Sequence, residues 1–168
     1  MNPRRRLACA AGLSFLVDGL SGCGGDSVVP VGASIRHDDF LYTVLTAQPV
    51  DRIGDRVANG QFLVVYFEVV NRAARVAHSW SNAIAYLVDA AGRLYENDVT
   101  LQQALDRLGA FRWAAEYVTP PGASEATMLV FELPADVLRP VDLMVRGELL
   151  MGDILDGVRF RRTRVRMP

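Results

Sequence analysis

Gln61-Phe62-Leu63-Val64-Val65-Tyr66-Phe67-Glu68-Val69-Val70-Asn71 is the stretch that decides the fold. It is dense in β-branched and aromatic residues, is preceded by Asn59-Gly60, and closes on Asn71, so it reads as a β-strand and not a buried helix. Leu63, Val65, Phe67 and Val69 fall on one face. Phe62, Val64, Tyr66, Glu68 and Val70 fall on the other. Only Glu68 is charged, so both faces must be largely covered and the strand must be central.

Working outward, Val31 to Arg36 and Phe40 to Ala47 read as strands joined through His37-Asp38-Asp39. Gln48 to Gly60, polar and carrying Pro49 and Gly54, reads as a loop into the central strand. Asn82 to Asp89 alternates and turns through Asp89-Ala90-Ala91-Gly92 into Arg93 to Glu96, a second hairpin. Leu101, Ala104, Leu105 and Leu108 lie at helical spacing, Thr100 with Gln103 matches a capping box, and Gly109 suits the residue after a helix end. This predicts a helix of about two turns over Thr100 to Gly109, laid over an open edge or end of the sheets. Phe111 to Val118 and Glu125 to Leu133 return to strand. Val141, Leu143 and Val145 alternate with Asp142, Met144 and Arg146, and predict an in-out strand. In the last segment, Val158 and Phe160 share one parity and Val165 and Met167 the other, which predicts a β-bulge near Arg161-Arg162. About eight short strands and one helix make an all-β antiparallel sandwich or barrel.

The chain has 168 residues, one domain's worth plus a targeting segment. Met1 to Cys23 has the three parts of a secretion signal: Arg4-Arg5-Arg6, an apolar run from Leu7 to Val17, then small residues. Leu20-Ser21-Gly22-Cys23 resembles the lipobox of bacterial lipoproteins, in which the Cys is lipid-modified and becomes the first mature residue. Asp18 departs from the pattern by placing a carboxylate near the apolar run. The expected organisation is a signal peptide over 1–22, a lipidated Cys23 with a tether over 23–30, and a sandwich over 31–168. Cys9 lies in the removed part, so the mature domain has neither a free thiol nor a disulfide and rests on packing.

Further residues resemble a known family. Phe40 to Val44, Gly60 to Val65 running on to Asn71, Leu87 to Tyr95, Pro121-Gly122 and Leu129 to Pro134 occur in an order similar to that of a family of immunoglobulin-like domains of unknown function found in bacterial lipoproteins and secreted antigens. The resemblance covers roughly residues 31 to 150. It implies an immunoglobulin-like sandwich outside the cytoplasm, and it supplies no catalytic residues to carry over.

Charge is uneven. The net charge is −1, residues 1–23 carry +2, and Arg159, Arg161, Arg162, Arg164 and Arg166 put +5 at the end, leaving −8 over residues 24–156. That Arg run has two readings: a patch for an anionic partner, or an edge strand whose charges prevent aggregation. An exported, mildly acidic domain without a nucleic-acid motif is not expected to bind nucleic acid. Asp38, Asp39, Asp51 and Asp55 form a weak calcium candidate if their two loops approach one another, against the commoner reading as solvated turn residues. His37 and His78 lack the nucleophile elbow or ligand cluster that would make a triad or a zinc site. No catalytic residue and no cofactor is expected.

The function expected from the residues is a membrane-anchored lipoprotein of the cell envelope, attached through lipid on Cys23. Its domain lies outside the cytoplasm and binds an envelope protein partner as a non-catalytic module. The alternative is a small-ligand carrier with the Thr100 to Gly109 helix as a lid over an apolar cleft.

Overall fold

The computed structural model of the chain describes residues 27–37, 39–145 and 163–168. The decisive stretch lies within β4 (Arg56–Asn71), which pairs antiparallel with β3 (Phe40–Ile53) on one side and with β9 (Ser124–Pro134) on the other. Its alternation is what makes this central position stable. Leu63, Val65, Phe67 and Val69 enter the main core beside Leu129, Phe131 and Leu133 of β9, while Phe62 and Val64 enter a second cluster on the opposite face. Each such side chain contributes about 1.5–3 kcal/mol on full burial.

The expected loop over Gln48 to Gly60 is instead the distal half of the β3–β4 hairpin, which turns at Gly54-Asp55. Bulges between Val44 and Thr46 and between Val50 and Arg52 break the period-2 pattern that would have announced a strand. Gly60 is required where it stands. At φ 146° it passes so close to β9 that a β-carbon would lie 2.3 Å from the Leu133 carbonyl oxygen.

β2 (Ser34–His37) completes a four-stranded sheet in the order β2-β3-β4-β9. Facing it is a five-stranded sheet of β1 (Ser27–Pro30), β11 (Thr163–Arg166), β10 (Asp142–Val145), β6 (Ala85–Val88) and β7 (Leu94–Tyr95), in that order. Ala85, Leu87, Leu143, Val165 and Met167 supply its side of the core. β5 (His78–Trp80) and β8 (Tyr117–Thr119) form a two-stranded ribbon whose Trp80 and Tyr117 rings stack at 4.4 Å. The result is the expected β-sandwich with one helix. Every described pairing is antiparallel except β1 with β11, which is parallel.

Other expectations are corrected. The tether read to Pro30 ends earlier, because Ser27 to Pro30 pair with Thr163 to Arg166. Phe111 to Val118 is mostly not strand: Asp106 accepts the Trp113 N–H at 3.3 Å, and the Tyr117 hydroxyl accepts from Ala114 N–H at 3.2 Å, so side chains satisfy backbone that a ladder would otherwise hold. In β10 the expected polar-outward residues are buried too, since Asp142 and Met144 are covered like Leu143. α1 (Val99–Arg107) starts one residue before Thr100, and Asp98, not Thr100, is its N-cap, accepting the Leu101 N–H at 3.0 Å. Gly109 follows the helix end at φ 72°, as expected. Val165 and Met167 are core residues, whereas Val158, Phe160 and the bulge at Arg161-Arg162 lie outside the described residues.

Candidate interaction surface

The four-stranded sheet has two edges, and the sequence treats them differently. At the β9 edge, backbone groups that face away from β4 are taken by the segment leading into α1. Asn97 Oδ1 accepts the Val130 N–H at 2.9 Å, Asp98 N–H donates to the Val130 carbonyl at 2.7 Å, and Gln102 Nε2 donates to the Met128 carbonyl. Asn97 Nδ2 in turn donates to Gln102 Oε1 at 2.8 Å. Gln102 is fully buried and sits beside Leu101, which packs on Phe62, Val64, Met128 and Val130. The helix thus closes an edge, as expected, and also covers the outer face of the sheet.

The β3 edge is closed only in part, because β2 pairs no further than Phe40 to Thr43. The ladder alternation that points Met128 and Val130 outward on β9 also turns Ala47 and Pro49 away from β4, since Ala47 is opposite Val65 and Pro49 opposite Leu63. Pro49 has no N–H to leave unpaired, which is why a proline is tolerated there. Ala47 keeps an N–H and a carbonyl without a backbone partner among the described residues.

Beside this edge the hairpin outruns the facing sheet. Its inner side, at Pro49, Gln61 and Leu63, borders a depression of about 690 Å³ whose other wall is Arg139, Pro140, Met167 and Pro168. A second depression of about 500 Å³, lined by Pro30, Val31, Leu45, Thr46, Ala47 and Arg166, meets it at Met167 and Pro168. Arg139 bridges the walls, donating through Nη1 to the Pro168 carbonyl at 2.7 Å and through Nη2 to Gln61 Oε1 at 2.9 Å. The groove is mainly apolar and of a size that holds a side chain or small molecule. It lies away from α1, so the helix is not its lid, and that part of the carrier reading is corrected.

The residues singled out from sequence do not form one site. Cys23, Asp38, Arg159, Arg161 and Arg162 lie outside the described residues. Arg164 and Arg166 both reach the buried Asp142, Arg166 through Nε on Oδ1 and Arg164 through Nη1 at 4.0 Å from Oδ2. β11 is therefore an interior strand held by charge pairs, because β1 covers its outer side. Asp39 precedes β3 while Asp51 and Asp55 stand at its far end, roughly 40 Å of strand away, so the calcium candidate is not assembled. Among the described residues no three His, Cys, Asp or Glu side chains gather to hold a metal ion. His78 Nε2 lies 3.4 Å from Asp39 Oδ2, with its ring tilted against Phe40 at 5.2 Å.

Sequence reading missed three polar clusters. Asp89 accepts from the N–H groups of Ala91 and Arg93, from Arg93 Nε at 2.7 Å and from the Tyr95 hydroxyl at 3.0 Å, and Arg93 continues to Asp136 at 2.9 Å. Burial opposes ionisation of the Asp89 carboxyl, but these bonds prevail and hold it well below the usual carboxylate range. The second cluster is the Asn97–Gln102 clamp. In the third, the buried Asn71 amide donates to the carbonyls of Val76 and Thr119 and accepts from Ala73 N–H. The Asp-Ala-Ala-Gly-Arg turn was visible; the partners on Asp136 and β9 were not, because they come from distant parts of the chain.

No family model matches the chain, and no curated protein matches it in sequence. Solved structures do resemble it. The yjhA protein of Bacillus subtilis superposes with a TM-score of 0.59 at 12% identity, over 84% of this chain and 99% of that one. An uncharacterised β-sandwich protein from Clostridium difficile gives 0.50 at 11%, over 86% and 95%. MPT63, a secreted protein of Mycobacterium tuberculosis, gives 0.51 at 11%, over 76% and 94%. At these identities the likeness establishes the β-sandwich fold.

Proposed function

We propose that this is an extracytoplasmic lipoprotein, anchored through Cys23, whose sandwich is a non-catalytic accessory module that binds another envelope protein through the groove beside Leu45 to Pro49. The observation that carries the reading is the asymmetry of the two sheet edges. One is sealed by buried side chains; the other stays open next to two mainly apolar depressions, where Leu45 is 45% exposed. An extended segment of a partner laid there gains apolar contact from the prolines and Met167, and backbone bonds from Ala47. The lipobox-like Leu20 to Cys23 supports the location, and the likeness to a secreted protein is compatible with it.

The test places a photo-crosslinking amino acid at Leu45 and, as a control, at the more exposed Leu94 on β7, in intact cells of the native host. Defined adducts from Leu45 alone support the proposal; none at Leu45, or the same pattern at both, contradicts it. The groove volume favours one second reading, a small-ligand carrier. Native mass spectrometry of the purified protein would then show a bound small molecule that Ala47→Arg removes.

A further inference from the structure

We infer that the end of the sandwich bearing Arg72, Arg75, Val76 and Val118 lies flat against the bilayer, with the groove directed away from it. The inference rests on the lipid anchor proposed above. From Cys23 to Ser27 the chain can span at most about 14 Å, and from Ser27 onward it is fixed in the sheet by its pairing with β11. The domain therefore cannot turn freely on its anchor, and the end at which β1 begins must stay near the surface.

Which end that is follows from the registers. Ser27 is level with Thr163 and, through β11 and β10, with Val145 and Ala85. At the other end of β1, Pro30 leads into Gly32, whose N–H donates to the Val44 carbonyl, part-way up β3. Ser27 is thus on the side of Phe40 and Asn71, and the groove and hairpin tip are on the other.

Among the described residues, the exposed surface at the anchored end is held in shape by side-chain bonds. The buried Asn71 amide ties the loop at the Val76 carbonyl, 2.8 Å, to the β5–β8 ribbon at the Thr119 carbonyl, 2.9 Å, while its oxygen holds Ala73. This shapes a ledge on which Val76 and Val118 are 57% and 61% exposed and Arg72 and Arg75 point outward without an ion pair among the described residues. Among the described residues, the acidic side chains near it include Asp39, bonded by His78, Glu125, opposite Val69, and the exposed Glu116, two residues before Val118. Two guanidinium groups and two apolar side chains on a rigid ledge suit an interface rich in anionic headgroups.

The experiment uses full-length protein made in the native host, with Val76→Cys or Val57→Cys as the only labelled thiol, intact mass first confirming lipid on Cys23. Val57 stands roughly 45 Å along β4 from the ledge. In vesicles of phosphatidylethanolamine and phosphatidylglycerol carrying headgroup spin labels, the probe at position 76 is expected to be quenched severalfold more than the probe at 57. Equal quenching, or stronger quenching at 57, in protein that does carry lipid overturns the orientation while leaving the anchor standing. Protein that carries no lipid removes the anchor reading itself, and the orientation with it.

Discussion

The side-chain oxygen of Asn97 accepts the backbone N–H of Val130 at 2.9 Å, and the Asn97 amide nitrogen donates to Gln102, which bonds the Met128 carbonyl. A polar pair thereby stands in for a missing fifth strand. Gln102→Ala leaves the buried Met128 carbonyl and the part-buried Asn97 amide without their partner and opens a cavity, with an expected loss of about 2–4 kcal/mol by denaturant unfolding. Gln103→Ala, one residue along and only half-buried, is expected to cost under about 0.5 kcal/mol. The Gln102 variant should also form oligomers as the β9 edge is exposed, which light scattering would detect.

Gly60 is a position where only the absence of a side chain lets two backbones pass. Gly60→Ala is expected to cost roughly 4 kcal/mol or more, or to prevent folding, because the obstructing atoms are the backbone of Leu133 to Ala135. Gly92→Ala, in a turn with open space around it at φ 82°, should cost only about 1 kcal/mol. Thermal unfolding of the two variants side by side separates obstruction from simple backbone strain.

Asp89 predicts a pH dependence with a definite sign. Its carboxyl ionises more readily in the folded protein than in the unfolded chain. The stabilisation is therefore present at and above the ordinary carboxylate value, near pH 4, and is lost as pH falls further toward the folded value. Asp89→Asn should lower the melting temperature at neutral pH and flatten the acid limb of stability against pH. Asp136→Asn, exposed at the outer end of the same network, should change both much less.

The strands that alternate cleanly, such as the apolar run in β4 and Glu125 to Leu133, were legible because their side chains report the pleat directly. Gln48 to Gly60 was not, since two bulges and Pro49 disguise a strand whose pairing is fixed by β4. Asp142 misled for a different reason: an Asp on a strand reads as outward-facing unless its partner is known, and Arg166 lies far along the chain. The same holds for the groove, whose walls come from β3, β4, the turn at Arg139-Pro140 and the final residues. Local pattern could raise Cys23 as a candidate anchor; it could not announce a surface assembled from four separate segments.

The central claim is an anchored domain outside the cytoplasm, and it is tested most directly by intact mass and membrane fractionation of the protein made in its own host beside Cys23→Ala. The account predicts that the wild type lacks residues 1–22, carries lipid and partitions with membrane, whereas the variant carries no lipid and is released. Wild-type protein that is unmodified and soluble, indistinguishable from the variant, would contradict it.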